Sequence, residues 1–225
     1  MKNLAVIVPT RERSHKIDEL IPQFAKTREG DTDLVICLDG DDAINYADVM
    51  EKFDYDWVRF QVGKGRKKLN AWLNEQAPIE AEKYKYVGFM GDDHRPRTNG
   101  WDVKLTEVLE PHKYGVSYGN DLLQGMNLAT ACIQTSTIIQ KLGFFSPPRQ
   151  IHLFLDNYWM ALGIKTNLEY LDNVVIEHMH FINNKSQEDR LYREVNSPDI
   201  TNHDKVQWEE YLLSGEFQSD MDKLV

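Results

Sequence analysis

The sequence has few cysteines and no long apolar run. Its 225 residues include only two cysteines, Cys37 and Cys132, which lie in separate apolar runs. A disulfide-stapled scaffold is therefore excluded, and we expect two buried free thiols rather than a disulfide. No stretch approaches the roughly 18 apolar residues of a membrane span, and Leu4–Val8 is too short for a signal sequence. We therefore expect a soluble, cytoplasmic protein without a membrane span.

Positive charge is scarce, since 26 Lys and Arg residues face 36 Asp and Glu residues, for a net charge of −10. Proteins that grip duplex nucleic acid usually carry a basic face, so this balance argues against one. The basic residues instead cluster near Arg11–Lys16 and at Lys64–Lys68. Such clusters on an acidic protein fit a small anionic ligand such as a nucleotide diphosphate. Taken alone, the second cluster is more typical of a solvated helix face.

Several catalytic motifs are missing. The sequence holds no GxSxG, HExxH, P-loop or GxGxxG pattern, and Gly63–Arg66 lacks the full Walker spacing. Kinase, α/β-hydrolase and Rossmann dehydrogenase functions therefore lack their central residues.

Short apolar runs alternate with helical patterns in the first hundred residues. Period-two or continuous apolar runs predict strands, and apolar spacing of three to four predicts helices. The expected strands are 3–9, 33–39, 57–62 and 85–90, and the expected helices are 16–26, 43–53 and 67–76. Strands separated by helices indicate an α/β fold with a parallel sheet and right-handed crossovers.

The pattern changes after residue 98. We expect helices at 100–109, 136–142 and 153–162, and strands at 114–118 and 128–134. Two further strands, 165–171 and 174–176, are expected to form a closing pair. Apolar runs become sparse beyond residue 183, where one amphipathic helix is expected at 206–213.

Polar residues follow three of the expected strands, namely Pro9–Arg13, Asp39–Asp42 and Asp92–His94. The carboxyl ends of parallel strands form one ligand-binding edge, so the three segments should converge. Adjacent carboxylates at a strand end, here Asp92 and Asp93, can hold Mg²⁺ or Mn²⁺. A surface turn is the alternative, because Gly-Asp-Asp is also good turn chemistry.

Two later segments also carry candidate groups. His178 and His180 alternate on an extended segment, which places both on one face and suits either a metal or phosphate site or a structural role. Zinc is not expected, since no cysteine lies near them. Asp156 lies among apolar and aromatic neighbours, where it is either a helix N-cap or a general base.

The order of these segments resembles the family 2 glycosyltransferases and related GT-A enzymes, over about residues 3–181. Seven segments carry the resemblance in order: Val8–Arg13, Leu38–Asp42, Gly65–Asn70, Phe89–Asp93, Leu142–Phe145, Leu155-Asp156 and Val175–His178. The sequence departs from the family pattern at the first Asp of the DxD motif, which is Gly91, and at the Glu of the ED motif, which is Leu155. Arg11 and Glu12 replace the usual opening aromatic or Asn.

The resemblance implies a GT-A fold, with a mostly parallel central sheet flanked by helices. Residues 1–182 would form one catalytic domain, with a nucleotide-sugar half (1–97) and an acceptor half (98–182). Residues 183–225 would be a C-terminal helical extension that covers the site or makes a homodimer contact.

The resemblance also implies residue roles. Residues expected to bind the donor are Pro9, Thr10, Arg11, Arg13, Asp39, Lys68 and Asp92. Residues expected to hold Mn²⁺ or Mg²⁺ are Asp93 first, then Asp92, His178 and, less favoured, His180. Asp156 would be the base of an inverting transfer.

A UDP-sugar is the favoured donor by family habit, and the acceptor is a glycan, a metabolite, a protein or a modified nucleobase. Two alternatives stay open. One is a nucleotidyltransferase, although the segment after the first strand lacks a glycine-rich loop. The other is a non-catalytic nucleotide- or sugar-binding module on the same fold, which Gly91 and Leu155 keep in consideration.

Overall fold

The computed structural model describes residues 1–224, which form an eight-stranded mixed sheet with helices on both faces. The strands are β1 Lys2–Thr10, β2 Thr32–Leu38, β3 Val58–Val62, β4 Tyr84–Phe89, β5 His94–Pro96, β6 Val116–Asn120, β7 Ile133–Thr135 and β8 Leu168–His178. The helices are α1 Ser14–Thr27, α2 Ala47–Lys52, α3 Leu69–Ala81, α4 Trp101–Glu107, α5 Ser136–Leu142, α6 Leu155–Lys165, α7 Arg190–Val195, α8 Pro198–Leu213 and α9 Glu216–Asp222. The strand order is β3-β2-β1-β4-β7-β6-β8-β5.

The central strand β1 shows how the sequence builds two hydrophobic layers. Its side chains alternate, so that Ala5 and Ile7 join one core cluster while Leu4 and Val6 join the other. Helix α3 packs on the first face and α1 on the second. A strand buried on both faces has to be apolar at nearly every position, which explains its continuous apolar run.

The first half of the sheet is parallel, as expected, because β2 and β4 both pair with β1 in parallel and β3 pairs with β2 in parallel. The second half is mixed. Strand β7 runs antiparallel to β4 and β6, β6 is parallel to β8, and β5 is antiparallel to β8. The α/β fold class is therefore confirmed, with antiparallel pairs confined to the second half.

Two expectations for the second half were wrong. The closing pair of strands is the single strand β8, which continues through the exposed Asp172 and Asn173. These two residues are typical of a turn, but pairing with β6 on one stretch and β5 on the next keeps the chain extended. The strand expected at 128–134 is reduced to β7. Strand β5 was not expected, because three residues carry too little pattern.

The C-terminal segment is more helical than expected. The helix predicted at 206–213 is the second half of α8, and α7 and α9 flank it. Tyr211, Phe217 and Met221 join the same core cluster as Trp159. Val225, the last residue of the expected extension, lies outside the described residues. The division into a catalytic domain and an extension stays a prediction.

Two further expectations concern thiols and membranes. Cys37 and Cys132 are both buried and free, which confirms the expectation of two buried free thiols. No helix between residues 1 and 224 combines the length and the hydropathy that a membrane crossing requires.

Candidate functional site

The three polar strand ends meet at one edge of the sheet. Oγ1 of Thr10 donates to Oδ2 of Asp92 at 2.8 Å, and Nη1 of Arg13 donates to Oδ1 of Asp92 at 3.1 Å. Nη1 of Arg11 donates to Oδ2 of Asp39 at 2.9 Å. The loops after β1, β2 and β4 are therefore joined directly, at the carboxyl end of the parallel strands where α/β sheets bind ligands.

Asp39 is buried and ties the end of β2 to the start of α3. Its Oδ1 accepts hydrogen bonds from the backbone N–H of Lys67 at 2.8 Å and from Nε1 of Trp72 at 2.9 Å. Its Oδ2 accepts from Arg11. One oxygen is therefore committed to the scaffold, and the other is shared with a side chain that lines the cavity. Trp72 lies in the helix expected at 67–76, but the sequence did not indicate its contact with Asp39.

Asp92 is 4% exposed, and both of its oxygens are engaged by residues that follow β1. Burial raises the pKa of Asp92, and the nearby Arg13 charge only partly offsets this effect. The carboxylate thus belongs to a hydrogen-bonded network at the base of the site. The alternative of a surface turn does not describe this segment, because Asp92 and Asp93 are both buried.

Asp93, His94 and His178 form a cluster that could hold a metal ion. Each offers one ligand atom, and these atoms lie within 4.8 Å of one another. Antiparallel pairing of β5 with β8 places His94 directly opposite His178, and their rings stack with centroids 4.2 Å apart. His94 was not among the predicted ligands, because the short strand that orients it was not predicted. Its position directly after the acidic pair was the available signal.

The charge states of this cluster follow from its surroundings. Burial and the neighbouring His178 lower the pKa of His94 to about 3, so His94 is neutral, as a metal ligand must be. Burial also disfavours a charged His178, but interactions with Asp121 and Asp93 outweigh it and raise the pKa of His178 to about 9. Burial opposes ionisation of Asp93 as well, yet His178 and other nearby cations hold its pKa well below the usual range.

The donor set fits a divalent cation, whose binding would displace the proton that His178 otherwise carries at neutral pH. Nδ1 of His94 accepts the backbone N–H of Gly91 at 3.1 Å, while its buried Nε2 has no hydrogen-bond partner among residues 1–224. Nε2 of His178 lies 3.5 Å from Oδ1 of Asp93, and its Nδ1 lies 3.9 Å from Oδ2 of Asp121. The distance to Asp121 is that of an ion pair, and the buried Nδ1 of His178 has no hydrogen-bond partner among residues 1–224. A carboxylate behind a ligating histidine is common in metal sites. Asp121 is buried and was not identified from the sequence.

Two predicted ligands lie outside this cluster. Asp92 faces Thr10 and Arg13, as described above. The ring of His180 lies against that of His178, with centroids 5.0 Å apart, and its Nδ1 accepts the backbone N–H of Ile182. Neither belongs to the group of three ligand atoms, so their part in metal binding stays a prediction.

Asp156 is the second residue of α6 and is half-buried. Phe154, with φ 63°, holds the N-cap position, so the N-cap role that the sequence left open for Asp156 does not apply. Among residues 1–224, the hydrogen bond that the Asp156 side chain accepts is from the backbone N–H of Asn157 to Oδ1, at 3.0 Å. Burial raises the pKa of Asp156. A carboxylate with a raised pKa and a free oxygen has the properties of a general base.

A loop held by the C-terminal segment precedes Asp156. The carboxylate of Asp204, which is fully buried in α8, accepts the backbone N–H groups of Ile151, His152 and Leu153 at 2.7–2.8 Å. A buried carboxylate with three backbone donors holds its partners firmly, because leaving any of them unpaired is costly. The walls of the site near Asp156 thus depend on a residue far along the chain.

All eleven residues singled out from the sequence line one cavity of about 300 Å³. They are Pro9, Thr10, Arg11, Arg13, Asp39, Lys68, Asp92, Asp93, Asp156, His178 and His180. The cavity is also lined by residues to which the sequence assigned no role, including Arg66, His94, His152, Tyr192 and Glu194. Burial lowers the pKa of His152 to about 4, which keeps that ring neutral.

Comparison with known proteins supports the fold. No protein-family model matches the sequence, and no curated protein matches it significantly. Among solved structures, the mannosyltransferase PcManGT from Pyrobaculum calidifontis, in complex with GDP-Man and Mn²⁺, is similar with a TM-score of 0.63 and 13% identity. The match covers 78% of this chain and 56% of PcManGT.

A second structure, S. aureus TarS 1–349 in complex with UDP-GlcNAc, has a TM-score of 0.56 and 15% identity, over 87% of this chain and 64% of that one. This chain therefore spans less than two thirds of either protein. At such identities the likeness concerns the fold, and it confirms the GT-A type of fold that the sequence resemblance implied.

Proposed function

We propose that this protein is a metal-dependent glycosyltransferase that moves a sugar from a nucleotide diphosphate to an acceptor hydroxyl with inversion. The observation that carries the proposal is that all eleven residues that the sequence assigned to donor, metal and base line the same cavity. That cavity lies at the ligand-binding edge of a GT-A type sheet.

The donor nucleotide would lie across the ends of β1 and β2. Oδ2 of Asp39, which faces Arg11 rather than the scaffold, is the acceptor available to a nucleobase N–H. Thr10 and Arg11 would lie beside the base, and Asp92 would contact the ribose through its Thr10 and Arg13 network. Lys68 and Arg13 would contact the diphosphate, since cations at the cavity wall suit phosphate oxygens.

The cation would be held by Asp93 and His178, with His94 as a third group. When bound, Mn²⁺ or Mg²⁺ neutralises the negative charge that develops on a leaving diphosphate. Mg²⁺ prefers oxygen ligands almost alone, so the two imidazoles favour Mn²⁺. Asp121 would orient His178 from behind. PcManGT was solved with Mn²⁺, which supports the choice.

Asp156 would act on the acceptor side. Its free oxygen would take the proton of the attacking hydroxyl, and attack opposite to the leaving diphosphate would invert the anomeric centre. Its raised pKa makes it a stronger base than an ordinary aspartate. The neighbouring loop Ile151–Leu153, fixed by Asp204, would position both the acceptor and this carboxylate.

We propose a UDP-sugar as the donor. TarS has been solved with UDP-GlcNAc and PcManGT with GDP-Man, so both uracil and guanine nucleotides belong in a test. The proposed acceptors are those expected from the sequence: a glycan, a metabolite, a protein or a modified nucleobase.

The decisive experiment measures thermal stability with a panel of nucleotide diphosphates and nucleotide sugars, in Mn²⁺ or in EDTA. A ligand at a hundredfold excess over its Kd should stabilise the wild type by about 2.7 kcal/mol. The shift should require Mn²⁺ and vanish in Asp93→Ala. The matched control Glu110→Gln changes an exposed carboxylate paired with Lys85 at the opposite edge of the sheet and should leave the shift intact. Absence of a shift with every nucleotide would exclude the proposal.

A non-catalytic binding module remains the main alternative, since Gly91 and Leu155 depart from the catalytic motifs of the family. The two functions differ in how Asp156→Asn behaves. A glycosyltransferase keeps donor binding in this variant and loses hydrolysis or transfer of the nucleotide sugar, whereas a binding module shows no turnover in either form. A nucleotidyltransferase would instead release pyrophosphate from a nucleoside triphosphate.

A further inference from the structure

Helix α7 forms part of the cavity wall. Leu191, Tyr192, Glu194 and Val195 all line it, although the helix has only six residues. Three side chains from Asp189–Glu194 contact residues that the proposed function assigns to the donor or the metal. The segment therefore contacts Arg13, Lys68 and Asp93, which the proposed function assigns to the donor and the metal.

The contact of Glu194 resembles phosphate recognition. One carboxylate oxygen, Oε1, accepts from Nζ of Lys68 at 2.7 Å and also from Nη2 of Arg66. The hydrogen bond from Lys68, opposed by partial burial and reinforced by Arg66, lowers the pKa of Glu194, so the carboxylate is charged at neutral pH. A single anionic oxygen bridged by a lysine and an arginine is the arrangement that a phosphate oxygen adopts.

Asp189 and Tyr192, from the same segment Asp189–Glu194, also contact residues of the site. Asp189 accepts from Nε and Nη2 of Arg13 at 2.7 and 2.9 Å, and the Arg13 guanidinium lies 4.2 Å from the centre of the Tyr192 ring. The hydroxyl of Tyr192 donates to Oδ2 of Asp93. The segment thus contacts Arg13, Lys68 and Asp93 at the same time, and a bound donor would need all three.

The ion pairs of Glu194 are weak enough to be displaced. The side chains of Lys68, Arg66 and Glu194 are 41%, 32% and 28% exposed. Ion pairs at such exposure contribute little, because water and salt screen them. A ligand with two phosphates and an accompanying cation can therefore replace one carboxylate.

We propose that Arg66 and Lys68 form the diphosphate subsite of the donor and that the Glu194 carboxylate occupies it in the free protein, so that donor binding displaces this carboxylate. This inference rests on the proposed function for the identity of the donor. It adds Arg66 to the residues that bind the donor, and it makes the Glu194 carboxylate a competitor of the donor diphosphate.

The experiment measures the binding of inorganic pyrophosphate and of UDP, each with Mn²⁺, by calorimetry. Glu194→Gln removes the competing charge and should tighten both ligands about threefold to tenfold, in line with the strength of an exposed ion pair. Arg66→Gln and Lys68→Gln should each weaken pyrophosphate binding. The matched control is Glu188→Gln, which directly precedes this segment, lies 3.8 Å from Arg193, and should not alter binding.

The outcomes separate this inference from the proposed function. Equal or weaker binding of pyrophosphate and UDP by Glu194→Gln, with intact folding by circular dichroism, would overturn the inference, because the Glu194 carboxylate would then not compete with either ligand. Tighter pyrophosphate binding supports the inference, even if no nucleotide sugar is turned over. A lack of nucleotide-sugar turnover would count against the glycosyltransferase function and not against this inference.

Discussion

Nε2 of His178 lies 3.5 Å from Oδ1 of Asp93. The two residues come from opposite halves of the chain, and the pairing of β5 with β8 brings them together. At this distance a small shift would let both atoms bind one cation, with His94 stacked on the same imidazole. This pair is the centre of the proposed metal site, and its properties can be measured without knowing the acceptor.

Loss of His178 should weaken Mn²⁺ binding. In His178→Ala a ligand atom is missing, so we expect the affinity for Mn²⁺ to fall by at least about tenfold, since even indirect partners of metal ligands contribute that much. Electron paramagnetic resonance of free Mn²⁺ measures the affinity directly. His112→Ala is the control, because His112 contacts Glu169 at the other end of the sheet. An unchanged affinity in His178→Ala would remove this histidine from the metal site.

The transfer rate should depend on the ionisation of Asp156. A base works in its charged form, and burial raises the pKa of Asp156, so protonation should inactivate it at a higher pH than an ordinary aspartate. We expect kcat, with donor and Mn²⁺ saturating, to fall as the pH is lowered through this raised pKa and to level off above it. The residual activity of Asp156→Asn should lack this step. The same step in Asp156→Asn would assign the titration to another group.

Asp39 should contribute to stability as well as to nucleotide binding. Asp39→Ala leaves the Lys67 N–H and the Trp72 indole without their acceptor, and a buried unpaired donor costs about 1–3 kcal/mol. The free energy of unfolding, measured in urea with an unchanged m-value, should fall by at least that amount. Asp41→Ala, an exposed neighbour on the same turn, should have little effect. Equal stability of the two variants would contradict the anchoring role.

Asp204 should affect the acceptor side of the reaction more than the donor side. Asp204→Ala unpairs up to three backbone N–H groups of the loop before Asp156, so we expect a loss of about 1–3 kcal/mol in the free energy of unfolding. In the folded variant the Kd for UDP should stay close to that of the wild type, while kcat/KM for the acceptor falls. Glu209→Gln, an exposed change on the same helix, is the control. A parallel loss of donor affinity would point to general disruption.

The sequence predicted the parallel half of the fold and the residues at its strand ends. Continuous apolar runs such as Leu4–Val8 leave few alternatives to a strand buried on both faces, and the helices between such strands impose parallel pairing. The carboxyl ends then share one edge, which is why Thr10, Asp39 and Asp92 could be grouped before their contacts were known. These features depend on local apolar patterns and on the order of strands and helices, both of which can be read from the sequence.

The tertiary structure decided the partners of those residues. A three-residue strand has too little pattern to predict, yet β5 determines that His94 stacks on His178. The same holds for Asp204 beneath the loop before Asp156 and for Glu194 between Arg66 and Lys68, which are pairings across the chain. Such contacts arise from the packing of elements far apart in sequence, where residue type indicates that a charge needs a partner but not which partner it finds.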